Sequence, residues 1–141
     1  MQELIDLAPD SIVVAGGNAV RLGGIDKVML PMGEMGESLL AEVVQACPGR
    51  VFVVGSPREL ELKQITWLPD LNPDAGPAAG IWSGLGKVTS EYVFISAADQ
   101  TLSRDTVAAI ISAAQNQEGA WAIRPDGGGQ PLCACVRTDL L

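Results

Sequence analysis

The chain has no histidine, one tyrosine, two phenylalanines and only nine lysines and arginines among 141 residues. Each scarcity removes a class of function. Without histidine, neither a Ser-His-Asp nor a Cys-His constellation can be assembled, so no nucleophile is activated through an imidazole. With nine cations against seventeen carboxylates and a formal charge of −8, the surface is unsuited to general polyanion binding, because nucleic acid is held by clustered Lys and Arg. No nucleic-acid partner is expected, and any phosphate site must be local. Cys47, Cys133 and Cys135 are an odd set and, with no histidine beside them, imply neither a disulfide framework nor a zinc site. They read as reduced, mostly buried thiols of a cytoplasmic protein. No apolar run approaches transmembrane length, and the acidic start "MQELIDLAPD" lacks the basic and apolar regions of a signal peptide. No membrane partner is expected. Chemistry, if any, must rest on carboxylates, a metal, cations and backbone amides.

What is present is regular. The length fits one domain, residues 1–141, which buries roughly two thirds of its unfolded surface. "SIVVAG" from Ser11, "VFVVGS" from Val51 and "YVFISAAD" from Tyr92 are continuous apolar runs of the kind that fit strands covered on both faces. "ITWLP" and "AWAI" are weaker candidates. Between them lie helical patterns, "SLLAEVVQAC" from Ser38, "GPAAGIWSGLGKV" from Gly76 and "SRDTVAAIISAAQNQ" from Ser103, the last with Ser103 as N-cap and Asp105 in its first turn. The alternation predicts an α/β domain with a doubly wound, mostly parallel, Rossmann-like sheet. "PDLNPDAGP" and "RPDGGGQP" read as turns.

Ligands of such sheets bind beyond the carboxyl ends of the strands, where the glycine loop after Ala15 and Asp99 after Ala98 both fall. Gly16 and Gly17 permit backbone conformations closed to other residues and allow close approach to a ligand. Their amides, with Arg21 and Lys27, suit the phosphates of a nucleoside triphosphate. On spacing alone the loop is as readily a tight turn with solvated cations. It matches neither the G-x-x-x-x-G-K-[ST] phosphate loop nor the G-x-G-x-x-G dinucleotide fingerprint.

Three segments carry a more specific signal. "VVAGGNAVRLGGIDKVMLP" resembles the opening signature L-A-G-G-x-x-x-R-M-G, followed by a lysine, of the nucleotidyltransferases that make the guanylated or cytidylated molybdenum cofactor. Ala15, Gly16, Gly17, Arg21, Gly23 and Lys27 carry the resemblance, with Val14 in place of Leu and Leu22 in place of Met. "GPAAGIWSGL" is similar to the family's G-P-L-A-G-I-x-x-G-L, and "GGGQPLCACVR" to its late Q-P-L-x-A-x-x-R strand. The resemblance spans roughly residues 12–137. It implies a fold of the nucleotide-diphospho-sugar transferase type, GTP or CTP as donor, a molybdopterin-type acceptor and Mg2+ as cofactor.

Residue by residue, the resemblance implies that Ala15, Gly16, Gly17, Lys27, Asp70, Asp74 and Asp99 contact nucleotide, that Arg21 and Lys27 clamp phosphates, and that Asp99 holds the metal. The family's usual proline after this aspartate is absent, since Gln100, Thr101 and Leu102 follow. A helix- or turn-capping role is open for Asp99, and turn formation for Asp70 and Asp74. Asp26 reads as solvated, and Trp67, Trp82 and Trp121 as core or rim aromatics. Family members carry a further strand and helix with an N-T-P-E-like segment near the acceptor. This sequence stops at "VRTDLL", so the expectation is a chain that binds nucleotide and transfers it poorly, with an apolar sheet edge that a homo-oligomeric contact could cover. Two other readings stay open: transfer to another phosphorylated acceptor such as a sugar phosphate or phospholactate, and a silent nucleotide-binding or interaction module.

Overall fold

The computed structural model describes residues 8–15, 21–22, 25–31, 36–60, 65–71, 76–123, 126–127 and 129–141, with the backbone alone for 21–22, 25 and 129–131. Six strands form one sheet: β1 (Asp10–Val14), β4 (Val51–Val54), β5 (Ile65–Leu68), β6 (Tyr92–Ala97), β7 (Gly119–Ile123) and β8 (Gly129–Arg137), in the order β5-β4-β1-β6-β8-β7. The first four run parallel, with Val14 level with Val54 and Ala97, and Val54 level with Leu68. β8 runs antiparallel to both β6 and β7. A separate two-stranded ribbon, β2 (Arg21–Leu22) and β3 (Ile25–Asp26), lies between β1 and the first helix.

The continuous apolar runs become strands because both faces of the sheet are covered. In β1, Ile12 and Val13 are both fully buried but belong to different layers. Val13 packs with Val53, Phe94, Leu40 and Val43, and Ile12 with Val54, Val93 and Ile95. That is the two-residue alternation of an extended chain in a core that accepts apolar side chains on either side. Helices α1 (Leu39–Ala46) and α3 (Arg104–Ala114) supply Leu40, Val43, Val107 and Ile110 to the first layer, and α2 (Pro77–Leu85) supplies Ile81 and Leu85 to the second. The domain is therefore doubly wound. Ser38 and Ser103 cap α1 and α3, each accepting a 3.1 Å hydrogen bond from the amide three residues on.

The glycines of "GPAAGIWSGL" have a packing role. A Cβ on Gly80 would lie 3.1 Å from Val14 Cγ1, and one on Gly84 would lie 3.0 Å from three atoms of Ile12. Spaced four apart on one helical face, they let α2 lie directly on β1. Gly80 over Val14 and Gly84 over Ile12 also fix its direction: the N-terminus of α2 is at the carboxyl end of the sheet. Gly76, which precedes it, has φ 84° and ψ −174°, a region essentially reserved to glycine.

The chain order sets the switch point. From β1 the sheet grows one way through β4 and β5, then resumes on the other side of β1 with β6. A crevice opens where neighbouring strands send their chains in opposite directions, here between the carboxyl ends of β1 and β6.

Candidate functional site

The parallel ladder closes one residue beyond each strand. The Ala15 amide donates to Val54 O at 2.9 Å, the Gly55 amide to Leu68 O at 2.9 Å, and the Ala98 amide to Val14 O at 3.0 Å. The glycine loop and the Asp99 turn therefore leave the sheet side by side. Ala15 is fully buried, and its carbonyl accepts a 3.0 Å hydrogen bond from Arg58. Both of its backbone polar groups are engaged within the protein, which fixes the point where the chain leaves the strand. Gly16 and Gly17 lie outside the described residues.

Arg21 and Asp26 face each other across the β2–β3 ribbon; the side chain of Arg21 lies outside the described set. Lys27 opens a 3-10 turn, Lys27–Met29, whose middle residue Val28 is fully buried and whose Met29 packs against the core. That anchor fixes the backbone from which Lys27, half-buried, extends. Among the described residues no carboxylate is within ion-pair distance of its ammonium. A cation held on a rigid turn with no described counter-charge suits an anionic ligand.

Asp26, expected to be solvated, is paired instead. Arg58 Nε donates to Asp26 Oδ2 at 2.9 Å and Nη2 to Oδ1 at 3.3 Å, and the two side chains are 8% and 22% exposed. The partner stands 32 residues away in sequence, just past β4, and only the sheet topology brings it beside the ribbon.

Asp99 is half-buried in the turn after β6. The turn is pinned by Gln100, whose Nε2 donates to Ser96 Oγ and to Leu132 O, both at 2.8 Å; Ser96 is fully buried. The Gln100 clasp ties the turn to β8 in a sequence that lacks the family's proline. Sequence reasoning passed over Arg58 and Gln100; both adjoin a strand's carboxyl end, which was the available signal. Asp70 sits two residues past β5, half-buried and engaged with a partner. With strands about 4.8 Å apart and β4 between, it stands roughly 10 Å along the sheet from β1. Asp74 lies outside the described residues.

Among the described residues no three His, Cys, Asp or Glu side chains cluster as a metal site. Mg2+ is compatible with that, since it keeps several waters and takes one or two carboxylates together with substrate phosphates. Asp99, in the turn beside the point where the chain leaves β1, is compatible with such an ion. The cysteines are free, and burial pushes their thiols up, to about 12 for Cys47 and about 11 for Cys135. They stay protonated and are poor nucleophiles. Trp82 and Trp121 are exposed, whereas Trp67 packs at the margin of the core.

Residues 11–141 match the MobA-like NTP transferase domain. The chain belongs to that family. It is 30% identical over 138 residues to a probable molybdenum cofactor guanylyltransferase of Natronomonas pharaonis, covering 91% of this chain and 67% of the relative. It is 33% identical over 133 residues to a molybdenum cofactor guanylyltransferase of Bradyrhizobium sp., covering 86% and 62%. The chain thus spans about two thirds of the length of the curated relatives it matches. Among solved structures, Rv0371c from Mycobacterium tuberculosis superposes with a TM-score of 0.74 at 19% identity, covering 94% of this chain and 72% of that one. The 2-C-methyl-D-erythritol 4-phosphate cytidylyltransferase of Thermus thermophilus superposes at 0.62 and 18% identity, covering 92% and 70%. These likenesses establish the fold. No helix among the described residues is long and apolar enough to cross a membrane.

Proposed function

We propose that the protein is a nucleotidyltransferase that moves GMP from GTP to the terminal phosphate of molybdopterin. The observation that carries this reading is the adjacency of two chain exits at the switch point: the glycine loop after Ala15 and the turn bearing Asp99, one hydrogen bond apart through Ala98 and Val14. The guanylyltransferase relatives support the donor and the acceptor.

In the reaction an acceptor phosphate oxygen attacks the α-phosphorus of GTP. The P–O bond to the β-phosphate breaks, and pyrophosphate leaves with the electron pair. The protein needs no nucleophile of its own, in keeping with a chain without histidine and with protonated, buried thiols. Its task is positioning and charge neutralisation. Amides of Gly16 and Gly17 would donate to phosphate oxygens, and Lys27 and Arg21 would offset the charge that develops on the leaving pyrophosphate. Asp99, held by the Gln100 clasp, is the residue that would hold Mg2+, which supplies further neutralisation of the phosphates when bound. Asp70 stands on the β5 side, where nucleotide contacts beyond the phosphates would fall, and Asp74, outside the described residues, would contribute to the same contacts.

The test is a thermal-shift screen over GTP, CTP, ATP and UTP with Mg2+, followed by pyrophosphate release with molybdopterin or a sugar phosphate as acceptor. A ligand bound only by the native state at about 100 times its Kd adds roughly 2.7 kcal/mol of stability. GTP stabilisation and molybdopterin-dependent release support the proposal. Release with a sugar phosphate alone would replace the acceptor, and no stabilisation by any nucleotide would overturn the reading.

A further inference from the structure

The segment "GSPRE" follows β4, and its arginine is enclosed although it lies in a connecting loop. Arg58 is 8% exposed, and each of its three nitrogens donates within the protein. Nε bonds Asp26 Oδ2 at 2.9 Å, Nη1 bonds Ser56 O at 2.9 Å, and Nη2 bonds Ala15 O at 3.0 Å and Asp26 Oδ1 at 3.3 Å. The guanidinium therefore joins three pieces of chain at the carboxyl end of the sheet: its own loop, the last residue before Gly16, and the residue before Lys27. It spans the glycine loop, holding one end through Ala15 and the other through Asp26.

We propose that Arg58 is a positioning residue for nucleotide binding, acting through Asp26 and Ala15 to set the glycine loop and the Lys27 turn. The inference rests on the nucleotide reading above. Two physical arguments carry it. First, a largely enclosed ion pair contributes little net stability, since desolvation offsets most of the attraction; its best-attested use is to fix one geometry, and this pair fixes the residue on which Lys27 follows. Secondly, the fork keeps the Asp26 carboxylate occupied. Without Arg58 the turn loses a positive charge that offsets Asp26, so the carboxylate next to Lys27 would weigh more heavily against an incoming phosphate. With four of its five N–H donors bonded within the protein and its side chain 8% exposed, Arg58 is poorly placed to receive a phosphate itself.

The test combines Arg58→Gln, Arg58→Lys and Lys27→Ala in a double-mutant cycle, read by calorimetry with GTP and Mg2+, with hydrogen exchange of the ligand-free proteins. Groups that act together show coupling of about tenfold within a broad range. Arg58→Gln is expected to weaken GTP about tenfold in the native background and less than about twofold when Lys27 is already alanine. Exchange should quicken at residues 25–29 and stay unchanged at Ile12, Val53 and Ile95. Arg58→Lys, which keeps the charge and loses the fork, should recover part of the affinity. An equal loss in both backgrounds, or unchanged exchange at 25–29, overturns the proposal, as does tight GTP binding by Arg58→Gln. If the native protein binds no nucleoside triphosphate at all, the nucleotide reading itself fails, and the role assigned to Arg58 falls with it.

Discussion

At the amino end of the sheet Asp10 is enclosed by its own partners, while at the carboxyl end Lys27 and Asp99 have no ion-pair partner among the described residues. Asp10 accepts from Arg50 Nε at 3.1 Å and Nη2 at 2.8 Å and from the Thr89 amide at 3.1 Å, and its own amide donates to Ser90 Oγ at 2.8 Å. Gly49 closes the same end; at φ 59° a Cβ there would stand 2.2 Å from Pro9 O. One end spends its charge on holding the sheet together, and the other keeps charge in reserve. The Arg58–Asp26 pair is the exception that sharpens the contrast: its charges are spent, yet on the turn that presents Lys27. Position relative to the strands, more than residue type, separates a structural ion pair from a binding group.

Replacing Lys27 with alanine should give the largest effect. Hydrogen bonds to charged groups are worth roughly 1.5 to 3 kcal/mol, so calorimetry should show a loss of GTP affinity between about tenfold and a hundredfold. Lys87→Ala, past the C-terminus of α2 near the amino end, should leave affinity unchanged. Equal losses for the two lysines would erase the distinction between the ends.

Asp99→Asn should come next. The isostere keeps the shape of the turn but loses the charge a hard cation prefers, so the Mg2+-dependent part of GTP binding should fall by about tenfold. Identical Mg2+ titrations of the two proteins would remove the metal assignment.

Gly84→Ala probes the middle of the fold. Overpacking against Ile12 costs about 1 to 3 kcal/mol, and the gain in helix propensity returns up to about 1 kcal/mol. Denaturant unfolding should show a net loss of about 1 to 2 kcal/mol, with nucleotide affinity unaltered. A stabilised variant would mean that α2 does not lie on β1 as closely as described.

The smallest effect concerns pH at the amino end. Burial tends to raise the Asp10 carboxyl, but the Arg50 hydrogen bonds, the Thr89 amide, the charge of Arg50 and the Ser90 amide together hold it below its ordinary value. A depressed folded-state pKa means that the unfolded chain binds more protons through the window, so the contribution is present above about pH 4 and is lost as pH falls further. Asp10→Asn should destabilise at pH 7, and the difference from the native protein should shrink below about pH 3. A pH-independent difference would show that Asp10 contributes through packing alone.

Much of this contrast was legible in the sequence. β1, β4 and β6 announced themselves because a strand buried on both faces must be apolar throughout, and α3 did so through Ser103, Asp105 and its helical spacing. Strand positions in the sequence put Asp99 and the end of β1, from which the glycine loop departs, at one end of the sheet. The β2–β3 ribbon was not legible, since two-residue strands carry no periodicity. The Arg58–Asp26 pair was hidden for another reason: its members lie on separate elements, and only the parallel placement of β4 beside β1 joins them. The Gln100 clasp likewise depends on β8, the one antiparallel member of an otherwise parallel set of described sheet strands.

The most direct test of the central claim, that the carboxyl end at the β1–β6 switch point binds a nucleoside triphosphate, is an amide chemical-shift map of the protein titrated with GTP and Mg2+. The account predicts saturable shifts at Ala15, Lys27, Gly55 and residues 98–100, with Asp10, Gly49, Arg50 and Thr89 unmoved. Shifts centred on the amino end, or none at millimolar GTP, would contradict it.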